Sequence, residues 1–143
     1  MFIGEYSHSI DQKGRMAIPA KMRGKLSDGA VVTKGMDNCL FVYPRIEWEK
    51  LAEKLANLPI SDNKARAYAR SVLAGAMELE FDKLGRVLIP GYLREFANLG
   101  NSVTVAGLYN RIEIWNEKAW KEYKLEADNQ SNEFNDHLAS LGV

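Results

Sequence analysis

The residues best suited to chemistry lie in Ile10-Asp11-Gln12-Lys13-Gly14-Arg15-Met16-Ala17-Ile18-Pro19, which recurs 71 residues on as Phe81-Asp82-Lys83-Leu84-Gly85-Arg86-Val87-Leu88-Ile89-Pro90. An aspartate can accept hydrogen bonds from amides one to three residues ahead and so hold a turn, while Gly14 and Gly85 supply the positive φ that ends it. Asp11, Gly14, Asp82 and Gly85 therefore read as turn-structural residues. The arginines have two open assignments. Arg15 and Arg86 either fold back on the aspartates as local ion pairs, or project with Lys13 and Lys83 beside an uncovered turn tip. A projecting guanidinium suits a polyanion, because it can bridge O6 and N7 of a guanine in the major groove.

Elements must position these turns. The pattern predicts strands over 6–10 and 15–18 around the first turn, then a short helix with Pro19 as its first residue, where a missing amide costs nothing. Strands over 30–33 and 40–43 follow. Ile46, Trp48, Leu51 and Leu55 then recur at helical spacing to about Asn57. Ser61-Asp62 opens a further helix with one apolar face, a connector whose other face carries Lys64, Arg66 and Arg70. The second unit repeats the plan with strands over 77–81, 86–89, 103–106 and 111–115 and a helix from about Glu117. One inserted residue shifts the register to 72, pairing Gly35 with Gly107, Asn38 with Asn110, Tyr43 with Trp115 and Trp48 with Trp120. The chain is a tandem duplication of α+β units: repeat 1 over 5–47, a helical segment and connector over 48–75, and repeat 2 over 76–119. The segment 120–143 finishes a helix and continues as an acidic, loosely ordered tail. Units this small are expected to share one core. Trp48, Trp115, Trp120, Tyr43 and Tyr109 are expected to pack between the repeats.

The 143 residues are 46% hydrophobic and 27% charged, the composition of an ordinary globular chain. Net charge is zero but unevenly spread. Lys13, Arg15, Lys21, Arg23 and Lys25 against Asp11 give the first motif region +4, and Lys83, Arg86 and Arg94 against Asp82 and Glu95 give the second +1. Lys121 and Lys124 against Glu122, Glu126, Asp128, Glu133 and Asp136 leave the tail at −3. Local field, more than total charge, steers a polyanion. The sequence carries no apolar run of membrane-spanning length and no signal-peptide pattern, so the cytosol is the expected compartment. A single cysteine, Cys39, leaves no internal disulfide, and with only His8 and His137 to help it builds no metal site. No phosphate loop or nucleophile motif appears, and Asp11 and Asp82 have turn roles that account for them without catalysis. Neither a cofactor nor an enzymatic activity is expected.

The two motifs, the start Met-Phe-Ile-Gly-Glu-Tyr, and the run Leu40-Phe41-Val42-Tyr43-Pro44 with Trp48 resemble the MraZ family of bacterial transcription regulators. The resemblance implies two tandem AbrB-like repeats, of the swapped-hairpin or double-split β-barrel type, interleaved as one pseudo-two-fold unit with flanking helices. It implies ring-shaped homo-oligomers, octamer or dodecamer among the sizes left open. It further implies binding to double-stranded DNA at direct repeats upstream of the protein's own gene, in the division and cell-wall cluster, and so a nucleoid-associated location. DNA-contacting residues carried over on the motif are Arg15 and Arg86, with Lys13 and Lys83 beside them and Arg23 on the helix that follows. The copies differ, since Leu84 stands opposite Lys13 and the second lysine moves one place earlier. A rival reading is an antitoxin-type protein-binding module acting through the C-terminal tail.

Overall fold

The computed structural model describes residues 1–143. Its strands are β1 (Glu5–Ser9), β2 (Arg15–Ala17), β3 (Ala30–Lys34), β4 (Leu40–Pro44), β5 (Met77–Leu79), β6 (Arg86–Leu88), β7 (Ser102–Gly107) and β8 (Ile112–Asn116). The helices are α1 (Ala20–Arg23), α2 (Arg45–Ala56), α3 (Asn63–Ala74), α4 (Gly91–Phe96), α5 (Glu117–Asn129) and α6 (Phe134–Ser140). This is the α+β plan read from the pattern, with small shifts of boundary. Pro19 sits one place outside α1, as its cap, because its extended ψ of 133° turns the chain into the helix and its carbonyl receives the Met22 amide at 2.8 Å. Residues beyond 128, where the sequence shows no firm pattern, include α6, none of whose residues is buried.

A six-stranded antiparallel sheet runs β1-β7-β8-β4-β3-β5, and a two-stranded ribbon pairs β2 with β6. The order shows how the repeats interleave. β1 of the first repeat pairs with β7 of the second, β5 of the second pairs with β3 of the first, and the ribbon takes one strand from each. The pseudo-two-fold axis passes through Met16↔Val87 in the ribbon and Phe41↔Glu113 in the sheet, the pairs whose members stand 71 and 72 residues apart. Neither repeat completes its own sheet, so each needs the other to satisfy its strand edges.

Alternation then sorts side chains by face. Val32, Leu40, Val42, Val103, Val105, Ile112 and Ile114 point inward and meet Met16, Ile18, Val87 and Ile89 from the ribbon side in one core of 19 buried residues. The opposite face of the sheet is covered by the long helices. Tyr43 meets Trp48 of α2 at 6.2 Å, and Trp115 meets Trp120 and Tyr123 of α5 at 5.3 and 5.0 Å. These aromatics therefore pack each hairpin on its own helix, and not between the repeats as the sequence led us to expect. Tyr109 departs further: it occupies the β7–β8 turn at φ +63° and is 70% exposed, because its backbone alone bridges to Phe2.

At the axis the symmetry is broken by charge. Glu113 is buried, accepts from Arg111 at 2.8 and 3.0 Å, and accepts from Trp115 Nε1 at 3.0 Å, while Arg111 lies 4.6 Å from the Phe41 ring centroid. Replacing Glu113 by alanine removes the acceptor for two donors in a mostly covered site. The expected loss is about 2–4 kcal/mol of unfolding free energy, measured by urea denaturation, with Glu113→Gln losing less because one acceptor oxygen remains.

Candidate nucleic-acid interface

The two turns are built identically. Asp11 Oδ1 accepts from the amides of Lys13 and Arg15, both at 2.9 Å, and Oδ2 accepts from Arg15 Nε at 2.8 Å. Asp82 repeats this with the amides of Leu84 and Arg86 at 2.9 Å and Arg86 Nε at 2.8 Å. The Asp11 amide donates to the Arg15 carbonyl and the Asp82 amide to the Arg86 carbonyl, each at 2.9 Å, so both turns close as tight loops. Gly14 at φ +89° and Gly85 at φ +75° take the conformation an L side chain rarely adopts. In both turns the Arg amide bond is the leading cause of a lowered aspartate pKa, ahead of an opposing cost of burial and the help of the guanidinium.

The first of the two assignments open to the arginines is thus realised in part: each guanidinium folds back onto its aspartate. Only Nε is spent, however, and the Nη groups of Arg15 and Arg86 have no hydrogen-bond partner within the molecule. The aspartate fixes the guanidinium in orientation and leaves its outer edge free.

Tertiary pairing brings the two arginines together. In the ribbon Arg15 stands opposite Leu88 and Ala17 opposite Arg86. Directly paired residues share a face, so Arg15, Ala17, Arg86 and Leu88 form one side of the ribbon, and Met16 and Val87, each 1% exposed, form the core side. Arg15 and Arg86 are diagonal neighbours, about 7–8 Å apart between backbones. Lys13 is exposed at the first turn and Lys83 at the second, and neither takes part in an ion pair. Leu84, which replaces Lys13 in the second turn, is 69% exposed, so that tip is apolar.

Arg23 lies elsewhere than the sequence led us to expect. Its Nε donates to the Ile18 carbonyl at 3.0 Å, and its guanidinium packs against Gly85 of the other repeat's turn. A β-carbon on Gly85 would overlap it. Arg94 does the same for the first turn: Nε donates to the Ile89 carbonyl at 2.9 Å, and a β-carbon on Gly14 would come within 2.8 Å of its guanidinium. The backbone repeats the exchange, with the Ile89 amide donating to the Gly14 carbonyl at 2.8 Å and the Ile18 amide to the Gly85 carbonyl at 3.4 Å. Each turn is therefore braced by an arginine from the opposite repeat. Sequence reasoning overlooked Arg94, although the signal was present in the 71-residue offset from Arg23.

Other basic and reactive groups stand apart from the turns. Lys25 donates to the Met1 carbonyl at 2.5 Å and sits 5.7 Å from the Phe2 ring centroid. Cys39 is buried, its thiol pushed well above the ordinary range by that burial. No group of three or more His, Cys, Asp or Glu side chains is arranged to hold a metal ion, and no helix is long and apolar enough to cross a membrane.

A family model described as "MraZ protein, putative antitoxin-like" matches the chain twice, over residues 1–71 and 72–140, the division that the internal offset marks. The protein named Transcriptional regulator MraZ of Halothermothrix orenii is 49% identical over 143 residues, all of both chains. Its namesake in Thermoanaerobacter pseudethanolicus is 48% identical over the same span, and that of Moorella thermoacetica 49% over 130 residues, 91% of each chain. Two matched repeats and identity of this level along the whole length carry one conclusion: the chain belongs to the MraZ family.

Proposed function

We propose that this protein is a transcription regulator that binds DNA by setting the outer face of the β2–β6 ribbon into the major groove. The observation that carries the reading is the register: it puts Arg15 and Arg86, each held through Nε and open at Nη, on one uncovered face. A two-stranded ribbon fits the major groove, and arginines about 7–8 Å apart span roughly two base steps of 3.4 Å. Lys13 and Lys83 flank this face, where phosphates would lie. The relatives' name, Transcriptional regulator, supports the same class of function.

Affinity bounds the assembly. A bidentate arginine contact discriminates by about 1–3 kcal/mol, so two of them fall short of or barely reach the 4–10 kcal/mol over non-specific binding of specific regulators. Several copies on one DNA close that gap, since every contact after the first is intramolecular. A ring-shaped homo-oligomer on direct repeats upstream of its own gene, ahead of division and cell-wall genes, meets this requirement. The Arg23 and Arg94 braces make the turns rigid, which lowers the ordering cost of binding.

The test is binding to that upstream DNA between about 50 and 200 mM salt, against random duplex of the same length. Preference for the upstream DNA is expected, with a steep salt dependence whose log–log slope falls by about 1 per engaged protomer in Lys13→Ala. Equal binding to both duplexes would sink the proposal. The antitoxin-type alternative predicts that equality, together with capture of a different protein by residues 129–143.

A further inference from the structure

Helices α3 and α6 hold equivalent places in the two repeats, since they begin at Asn63 and Phe134, 71 residues apart. Their surroundings differ. α3 lies against α2 and β3, buries Val72, and receives the Thr33 hydroxyl on the Val72 carbonyl at 2.6 Å. α6 buries nothing and has no packing partner among the other elements. Yet its sequence is amphipathic: Phe134, Leu138 and Leu141, all exposed, recur at i, i+4 and i+7 along one stripe. Glu133 and Asp136 stand beside the stripe and enter no ion pair. An apolar stripe left in water on a formed helix marks a surface that a partner covers.

The cover can be read from the first repeat. Between α2 and α3 runs a groove of ≈ 320 Å³ in which 8 of the 11 lining residues are hydrophobic. Leu55, Leu58, Ala69 and Leu73 form its apolar lining, and Arg66 and Arg70 bring positive charge to it. Arg66 is positioned by bonds to the Ile60 carbonyl and Asn63 Oδ1, and neither arginine has a carboxylate partner. An apolar groove with unpaired arginines complements an apolar helix with unpaired carboxylates in both respects.

We propose that the α2–α3 groove of one copy receives the α6 helix of a second copy, with Phe134, Leu138 and Leu141 inside and Glu133 and Asp136 toward Arg66 and Arg70. Helix and groove belong to different repeats, so every copy gives one contact and receives one. A head-to-tail contact of this kind closes into a ring when the rotation between copies allows it, and otherwise grows into a filament. The inference deepens the assembly part of the function proposed above and rests on it. One short helix buries far less than the roughly 1,200–2,000 Å² of a stable pairwise complex, so a single contact is weak. In a closed ring a copy leaves only by breaking two, which makes the ring far more stable than any open fragment.

The experiment is the mass in solution of the full chain, of Leu138→Asp and of Ala69→Glu, with helicity checked by circular dichroism. Neither residue lies in the core, so both variants keep the fold. The native chain is expected at a multiple of 16.1 kDa and both variants at 16.1 kDa. A monomeric native chain, or either variant at the native mass, overturns the proposal. So does a fall in melting temperature in Leu138→Asp without loss of mass, which would place the helix in its own groove. Failure of the DNA reading looks different: an assembly that dissociates with Leu138→Asp but ignores upstream DNA sinks that reading and leaves the docking, and a monomer that prefers upstream DNA does the reverse.

Discussion

Arg15→Ala is expected to weaken binding to the upstream DNA about 5- to 150-fold for each engaged protomer, the equivalent of 1–3 kcal/mol per lost bidentate contact, with little change in binding to random duplex. In an assembly that engages several copies, the loss compounds, so a measurable specific complex should vanish at moderate salt. Arg86→Ala is expected to act in the same direction and less strongly. The guanidinium geometry is the same in both repeats, but the first turn adds Lys13, and the second offers Leu84 at its tip with Lys83 one place back. Arg15→Lys tests the geometry directly, because it keeps the charge but cannot both anchor to Asp11 and offer a planar fork. Specificity retained in Arg15→Lys would show that charge alone matters at this position. Stability measured on the same variants separates the roles: an arginine that only braces its turn would change melting and leave the ratio of upstream to random binding untouched.

The second large effect concerns the aspartates. Asp11→Ala is expected to tighten binding to random duplex while cutting the preference for upstream DNA by on the order of tenfold, the worth of one well-placed contact. Two consequences of one substitution oppose each other here. Removing the carboxylate raises the local charge by one, which strengthens and steepens the salt-dependent, sequence-blind attraction. It also frees Arg15 from the Nε bond that orients it, so the base-reading contact must be ordered at the moment of binding. Tighter binding to both duplexes in proportion would refute the orienting role. Acid should have a related effect on folding. The folded-state pKa values of Asp11 and Asp82 are lowered, first by the amides of Arg15 and Arg86 and then by their guanidinium groups against the cost of burial. Both carboxylates therefore bind protons more weakly in the folded chain than in the unfolded one. Their contribution is fully present above the ordinary aspartate range near pH 4 and is lost as pH falls through the lowered folded values. Thermal melting between about pH 6 and 3 should show a shallower acid decline in Asp11→Asn than in the native chain.

Much of this was legible in the chain because it depends on near neighbours. Asp11 and Gly14 close a turn within five residues, Pro19 and Pro90 stop strands and open helices, and alternation along 40–43 and 112–115 marks the strands of each hairpin. Duplication was legible for the same reason, as matched local patterns 71 or 72 residues apart. The reach of such patterns ends at the element. Tyr109 sits among strand residues in sequence yet turns outward, since its backbone bridge to Phe2 is made across more than a hundred residues. Arg23 reads as an exposed helix cation, and the packing that makes it a brace comes from Gly85 in the other repeat. For α6 the amphipathic spacing was present in the sequence, but polar neighbours over 129–132 obscured it.

The sequence by itself determined the two Asp-x-x-Gly-Arg turns, their paired strands and helices, and the positive charge gathered at the first motif. Tertiary structure alone decided that the repeats exchange strands, that Arg15 and Arg86 share one open face with Met16 and Val87 beneath, and that each turn is braced from the opposite repeat. The physical reason is range. Turn chemistry and side-chain alternation are settled by a few consecutive residues, whereas a strand edge can be satisfied by either repeat, and the choice follows from the shared core that only the interleaved arrangement buries.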